Sequence, residues 1–227
     1  MKILAVDTSS RMLCVAIADG DRIISSHNRL IGFEHSKMLV PAIEGLLKKS
    51  SLKIGGIDAF AVGLGPGSFT GLRIGVSAMK GYAFALERPI TGVSTLDALA
   101  LRLESSADGK DIYTVIDAKR QNIYWCRYRF ENGKMKRVTS YLLTPPEKMI
   151  KSVKSKSVFL GDAIDVYGRD IKKALKAKAA FLDKGYWYPK AEYIARLGYE
   201  KLRRGQSYDV DTIAPMYMHS KYCQVKK

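Results

Sequence analysis

The chain has 227 residues, 47% of them hydrophobic and only 7 of them proline, and its 38 Lys and Arg against 22 Asp and Glu give a net charge of +16. That length supports a sizeable core in one domain or two, and the composition excludes a disordered chain. The positive excess either draws polyanions to the surface or serves only solubility, since no RNA-binding signature accompanies it.

In chain order, Ile3 to Val6 predicts an apolar strand ending in Asp7, Met12 to Ala18 a second and Arg22 to Ser26 a third. Asp19-Gly20 supplies the hairpin turn between the last two. A helix is expected from Glu34 to Lys49, kinked or started late by Pro41, with Met38, Leu39, Ile43, Leu46 and Leu47 on one side. His35 has no partner at metal-ligand spacing and reads as a surface or interface residue.

The strand from Ile57 to Val62 runs into Gly63-Leu64-Gly65-Pro66-Gly67-Ser68, which can prolong neither strand nor helix. Ser68 caps the helix that follows, whose core stripe is Leu72, Val76, Met79 and Ala83. A second stripe, Gly71, Gly75 and Ala78, is small. A glycine inside a helix costs about 1 kcal/mol against alanine, so this spacing implies close approach of another backbone. The loop is either a tight structural turn or an anion contact at the helix start; its glycines match neither the P-loop nor the dinucleotide-binding pattern.

Pro89 to Val93 reads as a strand and Leu96 to Leu103 as a helix capped by Ser94 or Thr95. The polar stretch from Glu104 to Lys110 places a boundary, giving domains 1–104 and 105–227, with a tail that packs back on the first. The pattern then restarts: strand Ile112 to Ile116 ending in Asp117, a polar turn, strand Ile123 to Phe130, an Asn132-Gly133 hairpin, and strand Met135 to Leu143. One structural unit is used twice.

A helix opened by Thr144-Pro145-Pro146-Glu147, a strand from Ser157 to Leu160, a basic helix from Val166 to Ala177 and a helix from Ala191 to Arg204 complete the second half, before a tail from Thr212 to Met218. Tyr186-Trp187-Tyr188-Pro189 is an aromatic cluster that packs on the core or stacks on bases. Cys14, Cys126 and Cys223 are too few and too scattered for a disulfide framework. With no signal peptide or membrane-length apolar run, the protein is expected to be cytoplasmic, with no membrane partner.

The duplicated opening resembles the actin, sugar-kinase and Hsp70 (ASKHA) superfamily, an α/β class with two ribonuclease-H-like domains. Within it the chain is similar to the TsaB (YeaZ) family, accessory subunits of the bacterial machinery for threonylcarbamoyladenosine at position 37 of tRNA. The motifs are Gly65-Pro66-Gly67-Ser68-Phe69-Thr70-Gly71-Leu72-Arg73-Ile74-Gly75, then Ile3 to Thr8, His35-Ser36 with Leu39-Val40-Pro41, Gly92 to Ala98, and Ile116 to Lys119. The usual Pro-x-Tyr-Leu-Arg near the end stands here as Pro215-Met216-Tyr217-Met218-His219.

The resemblance implies a non-catalytic subunit that docks on the catalytic paralogue TsaD through helix pairs, within a complex that includes TsaE and engages tRNA. It places the TsaD contact on His35, Leu39, Ile43, Phe69, Gly71, Leu72, Gly75, Val76, Ala78 and Met79, with self-pairing of that face when TsaD is absent. No catalytic residue, metal or intrinsic cofactor is implied, and ATP or ADP belongs only to the shared surface of the complex. Asp7, Thr8, Ser9, Gly65 and Gly67 are the weak nucleotide candidates. Arg169, Lys172, Lys173, Lys176 and Lys178, with Arg203 and Arg204, form either a solvated face or a hold on tRNA phosphates. A stand-alone peptidase and a sugar-kinase-like ATPase are the rival readings.

Overall fold

The computed structural model describes residues 1–104 and 109–218; Cys223, His219 and the centre of the expected linker lie outside them. The strands are β1 (Lys2–Asp7), β2 (Met12–Asp19), β3 (Arg22–Leu30), β4 (Ala59–Gly65), β5 (Ile90–Ser94), β6 (Asp111–Asp117), β7 (Ile123–Glu131), β8 (Lys134–Arg137), β9 (Leu142–Thr144), β10 (Ser157–Leu160) and β11 (Ala179–Phe181). The helices are α1 (His35–Lys49), α2 (Phe69–Ala85), α3 (Thr95–Leu101), α4 (Pro146–Ser152), α5 (Ala163–Leu175) and α6 (Ala191–Arg203).

The first sheet has the order β3-β2-β1-β4-β5, antiparallel across β1 to β3 and parallel from β1 through β4 to β5. The second has β8-β7-β6-β10-β11, with β9 added beside β7. The two orders coincide strand for strand, which is the duplication expected from the sequence.

Among the described residues, contacts divide the chain into Met1–Ala98 with Pro189–Pro215, and Leu99–Tyr188 with residues 216–218. The expected cut at 104 falls close to the first crossing. Residues 189–215, expected in the second domain, lie with the first instead. The physical reason is α6: its Ala191, Ile194 and Ala195 bury against Ile3, Ala5, Cys14, Ala16 and Ala61 on one side of the first sheet. Small side chains on both partners permit that close seat, and a Cβ on Gly198 would stand 2.5 Å from the Ala61 Cβ. α1 and α2 cover the other side with Leu39, Ile43, Leu72, Val76 and Met79, all buried.

In the second unit the core is aromatic: Tyr113 stacks on Phe159 at 5.0 Å and on Trp125 at 5.9 Å, with Ile164, Ile171 and Leu175 of α5 packed beside them. Two local expectations change. The strand predicted over 135–143 divides into β8 and β9, because the chain leaves the ladder after Arg137 and Thr139 turns back to satisfy the Arg127 N–H. The short β11 was not foreseen, since three residues carry no readable alternation. α1 continues through Pro41, which sits at an exposed position.

Candidate functional site

The chemistry-bearing residues of the first unit gather where β1, β4 and β5 end. Asp7 is fully buried there. One carboxylate oxygen accepts from the Ser9 N–H at 2.8 Å and the Ser9 hydroxyl at 2.6 Å, the other from the Thr95 hydroxyl at 2.8 Å. Burial pushes the carboxyl above its ordinary range, opposed by those hydrogen bonds and by nearby His35.

The glycines close over this turn. A Cβ on Gly63 would lie 2.1 Å from the Asp7 carboxylate, on Gly67 2.2 Å from the Ser9 carbonyl oxygen, and on Gly71 2.1 Å from the Thr8 carbonyl oxygen. Gly75 faces the Thr8 hydroxyl at 2.3 Å by the same construction, and that hydroxyl donates to the Gly71 carbonyl at 2.7 Å. Gly65, at φ +93°, turns the chain into Pro66. Close approach of a second backbone was the correct inference from the stripe, but that backbone is the chain's own first turn.

The loop is therefore a structural turn before anything else. The Ser68 N–H donates to Ser9 at 2.6 Å, and the Ser68 hydroxyl caps α2 by accepting from the Gly71 N–H. The N–H groups of Ser9, Ser68 and Gly71 are thus engaged inside the chain. Among the described residues no three His, Cys, Asp or Glu side chains form a metal-holding group.

Burial corrects most of the expected partner contacts. His35, Leu39, Ile43, Gly71, Leu72, Gly75, Val76 and Met79 are all buried within the chain. Only Phe69, 55% exposed, stands fully outward, with Ala78 half-buried. His35 in particular is no surface residue: burial lowers its imidazole pKa, which a hydrogen bond to Met12 and the Asp7 charge partly offset. The reason is geometric, because the small stripe of α2 points at the first turn and the apolar stripe of α1 at the sheet.

The outward sides of the two helices carry a different set. On α2, Phe69, Arg73, Ser77, Gly81 and Phe84 follow one another at spacings of three and four and are exposed. The Arg73 guanidinium lies 3.8 Å over the Phe69 ring. On α1, Val40, Pro41 and Gly45 are exposed, and no atom lies within 4 Å of a Cβ placed on Gly45 or Gly81. Sequence reading missed this face because it looked for continuous periodicity, and here large and small apolar residues alternate with polar ones.

The second sheet repeats the carboxylate at its strand end. The Asp117 N–H donates to Asp162 at 3.0 Å, and Asp117 accepts from the Lys119 N–H at 2.9 Å and pairs with the Lys119 ammonium. Burial pushes Asp162 up to about 6, with the Asp117 charge acting in the same direction. Lys119, Arg120 and Gln121 are consecutively left-handed at φ of 60°, 48° and 60°.

A family model described as TsaD, tRNA N6-adenosine threonylcarbamoyltransferase, matches residues 28–226. A Bacillus subtilis protein named tRNA threonylcarbamoyladenosine biosynthesis protein TsaB is 30% identical over 233 residues, covering 100% of this chain and 97% of the relative. The Escherichia coli protein of that name is 37% identical over 134 residues, covering 59% of this chain and 58% of the relative. The structure of YeaZ from Pseudomonas aeruginosa superposes with a TM-score of 0.82 at 29% identity over 96% of this chain and 99% of that one. At the level of fold alone, a 2-hydroxyisocaproyl-CoA dehydratase activator from Clostridium difficile superposes at 0.52 with 12% identity over 96% of this chain and 100% of that one.

Proposed function

The chain belongs to the TsaB (YeaZ) family, and on that premise we infer that it takes part in threonylcarbamoyladenosine biosynthesis on tRNA as a non-catalytic subunit that holds TsaD in its working form. The observation that carries this reading is the uncovered outer face of α1 and α2. Val40 is 41% exposed, Phe69 55% and Phe84 73%, and the glycines Gly45 and Gly81 are exposed on the same two helices. Large apolar side chains beside gaps that lack a Cβ form a surface onto which another helix pair can seat closely. This replaces the buried glycine stripe as the docking surface and keeps the helices the family resemblance implies.

The same face, left bare, supports self-pairing in the absence of TsaD. TsaE and tRNA join through the complex, which works in the cytoplasm. In this reading the chain itself takes no ATP or ADP, which the internal engagement of the N–H groups of Ser9, Ser68 and Gly71 supports. Nucleotide then belongs to the surface shared with TsaD.

Reconstitution of tRNA modification from TsaC, TsaD and TsaE tests the role. Activity is expected to require this chain only where TsaD is present. Val40→Asp with Phe69→Asp is expected to abolish co-purification with TsaD while leaving the unfolding midpoint of the isolated chain unchanged. Undiminished co-purification of that variant, or ATP binding to the isolated chain by calorimetry, would overturn the reading.

A further inference from the structure

The second unit carries a feature that the docking role does not use. Ile164, Gly168, Phe181 and Trp187 floor an open groove of about 580 Å³, and Arg169, Lys172 and Lys173 stand along its rim beside one carboxylate, Asp165. Three of the cations are placed by helical geometry: Arg169, Lys172 and Lys173 fall at i, i+3 and i+4, one side of α5, and Lys176 caps its end. Lys178 follows directly, and Lys184 lies 5.4 Å over the Trp187 ring.

The floor distinguishes between the aromatics of the 186–188 cluster. Tyr186 lies under the Arg102 guanidinium at 4.5 Å and does not line the groove. Trp187 is half-buried, its indole N–H donating to the Leu182 carbonyl at 3.3 Å, which fixes the ring while part of it remains open to the groove. Lys172 donates to the Ala179 carbonyl at 2.9 Å, so its ammonium is held at the rim. Arg169 and Lys173 are exposed and make no ion pair among the described residues.

We propose that this groove binds a single-stranded segment of RNA, with Arg169, Lys172 and Lys173 on successive phosphates and an unstacked base laid against Trp187. Fixed aromatic faces beside a cationic track are how sequence-tolerant single-strand sites are built. An acidic peptide would meet the cations but leave the ring unused, and a membrane surface would require an exposed apolar rim where this one is charged. The choice of RNA rests on the tRNA pathway proposed above; the groove itself does not.

The test uses the full chain and a fluorescein-labelled single-stranded oligoribonucleotide, read by anisotropy across a salt series. Arg169→Glu with Lys173→Glu is expected to weaken binding at least about tenfold and to make the slope of log K against log salt shallower by about 1.4, at roughly 0.7 for each lost phosphate contact on a single strand. Trp125 is only 3% exposed, so Trp187 is the indole that RNA can quench; Trp187→Phe should abolish quenching while affinity changes by less than about threefold, because a stacking ring remains. An unchanged slope in the charge variant, quenching that survives Trp187→Phe, or binding to anionic phospholipid vesicles in preference to RNA would each overturn the proposal. Co-purification of the charge variant with TsaD is expected to persist, which separates failure of the groove from failure of the docking face.

Discussion

Gly71→Ala probes the packing on which the first unit depends. The added methyl would lie 2.1 Å from the Thr8 carbonyl oxygen, against backbone that has no rotamer by which to move away. Overpacking of this kind costs about 1–3 kcal/mol. Displacing the Gly71 segment also breaks the buried bond from the Thr8 hydroxyl, for a further ~1–3 kcal/mol. Alanine's helix propensity returns about 1 kcal/mol, leaving a net loss of about 1–5 kcal/mol. At 2–4 °C per kcal/mol that lowers Tm by roughly 2–20 °C. Thermal unfolding followed by circular dichroism measures it, with Gly81→Ala as the control on the same helix. There the space is open, and the substitution should stabilise by ~0.5–1 kcal/mol. Equal midpoints for the two variants, or a rise for Gly71→Ala, would show that α2 does not seat against the first turn.

Thr95→Val should cost about 1–3 kcal/mol in urea unfolding by removing a donor from buried Asp7, and Thr95→Ser should recover most of it; equal losses would mean that the methyl rather than the hydroxyl matters. Asp162 keeps its proton up to about pH 6 in the folded chain, against roughly 4 when unfolded, so the folded state holds the extra proton in that window and stability falls as pH rises through it. Asp162→Asn should flatten that slope and be more stable than the parent by about 1–3 kcal/mol at pH 8; parallel pH profiles would refute the assignment. Phe84→Asp, at a site 73% exposed, should leave the isolated chain within about 0.5 kcal/mol of the parent while weakening capture by immobilised TsaD.

Local signals in the sequence were strong where they concerned neighbours. Asp19-Gly20 and Asn132-Gly133 mark hairpins whose glycines stand at φ +59° and +70°, and Ser68 caps its helix. The repeated strand, acidic end and hairpin foretold two sheets of the same order. What the sequence withheld was the identity of distant contacts. Gly71 and Gly75 announce that something lies close, yet nothing near them specifies Thr8, more than sixty positions earlier. The same blindness put His35 outside: the first turn of α1 covers the end of the sheet, which no spacing within the helix discloses. Trp187 was legible as an aromatic but not as a floor, because α5 and β11 complete the groove.

The return of α6 to the first sheet bears on how the protein is made. Ile3, Ala5, Cys14 and Ala16 leave the ribosome well before their covering side chains at Ala191, Ile194 and Ala195. The intervening unit has its own aromatic core to assemble in the meantime. One side of the nascent first sheet thus stays naked until α6 emerges, and a ribosome stalled before Ala191 would present it to chaperones and proteases.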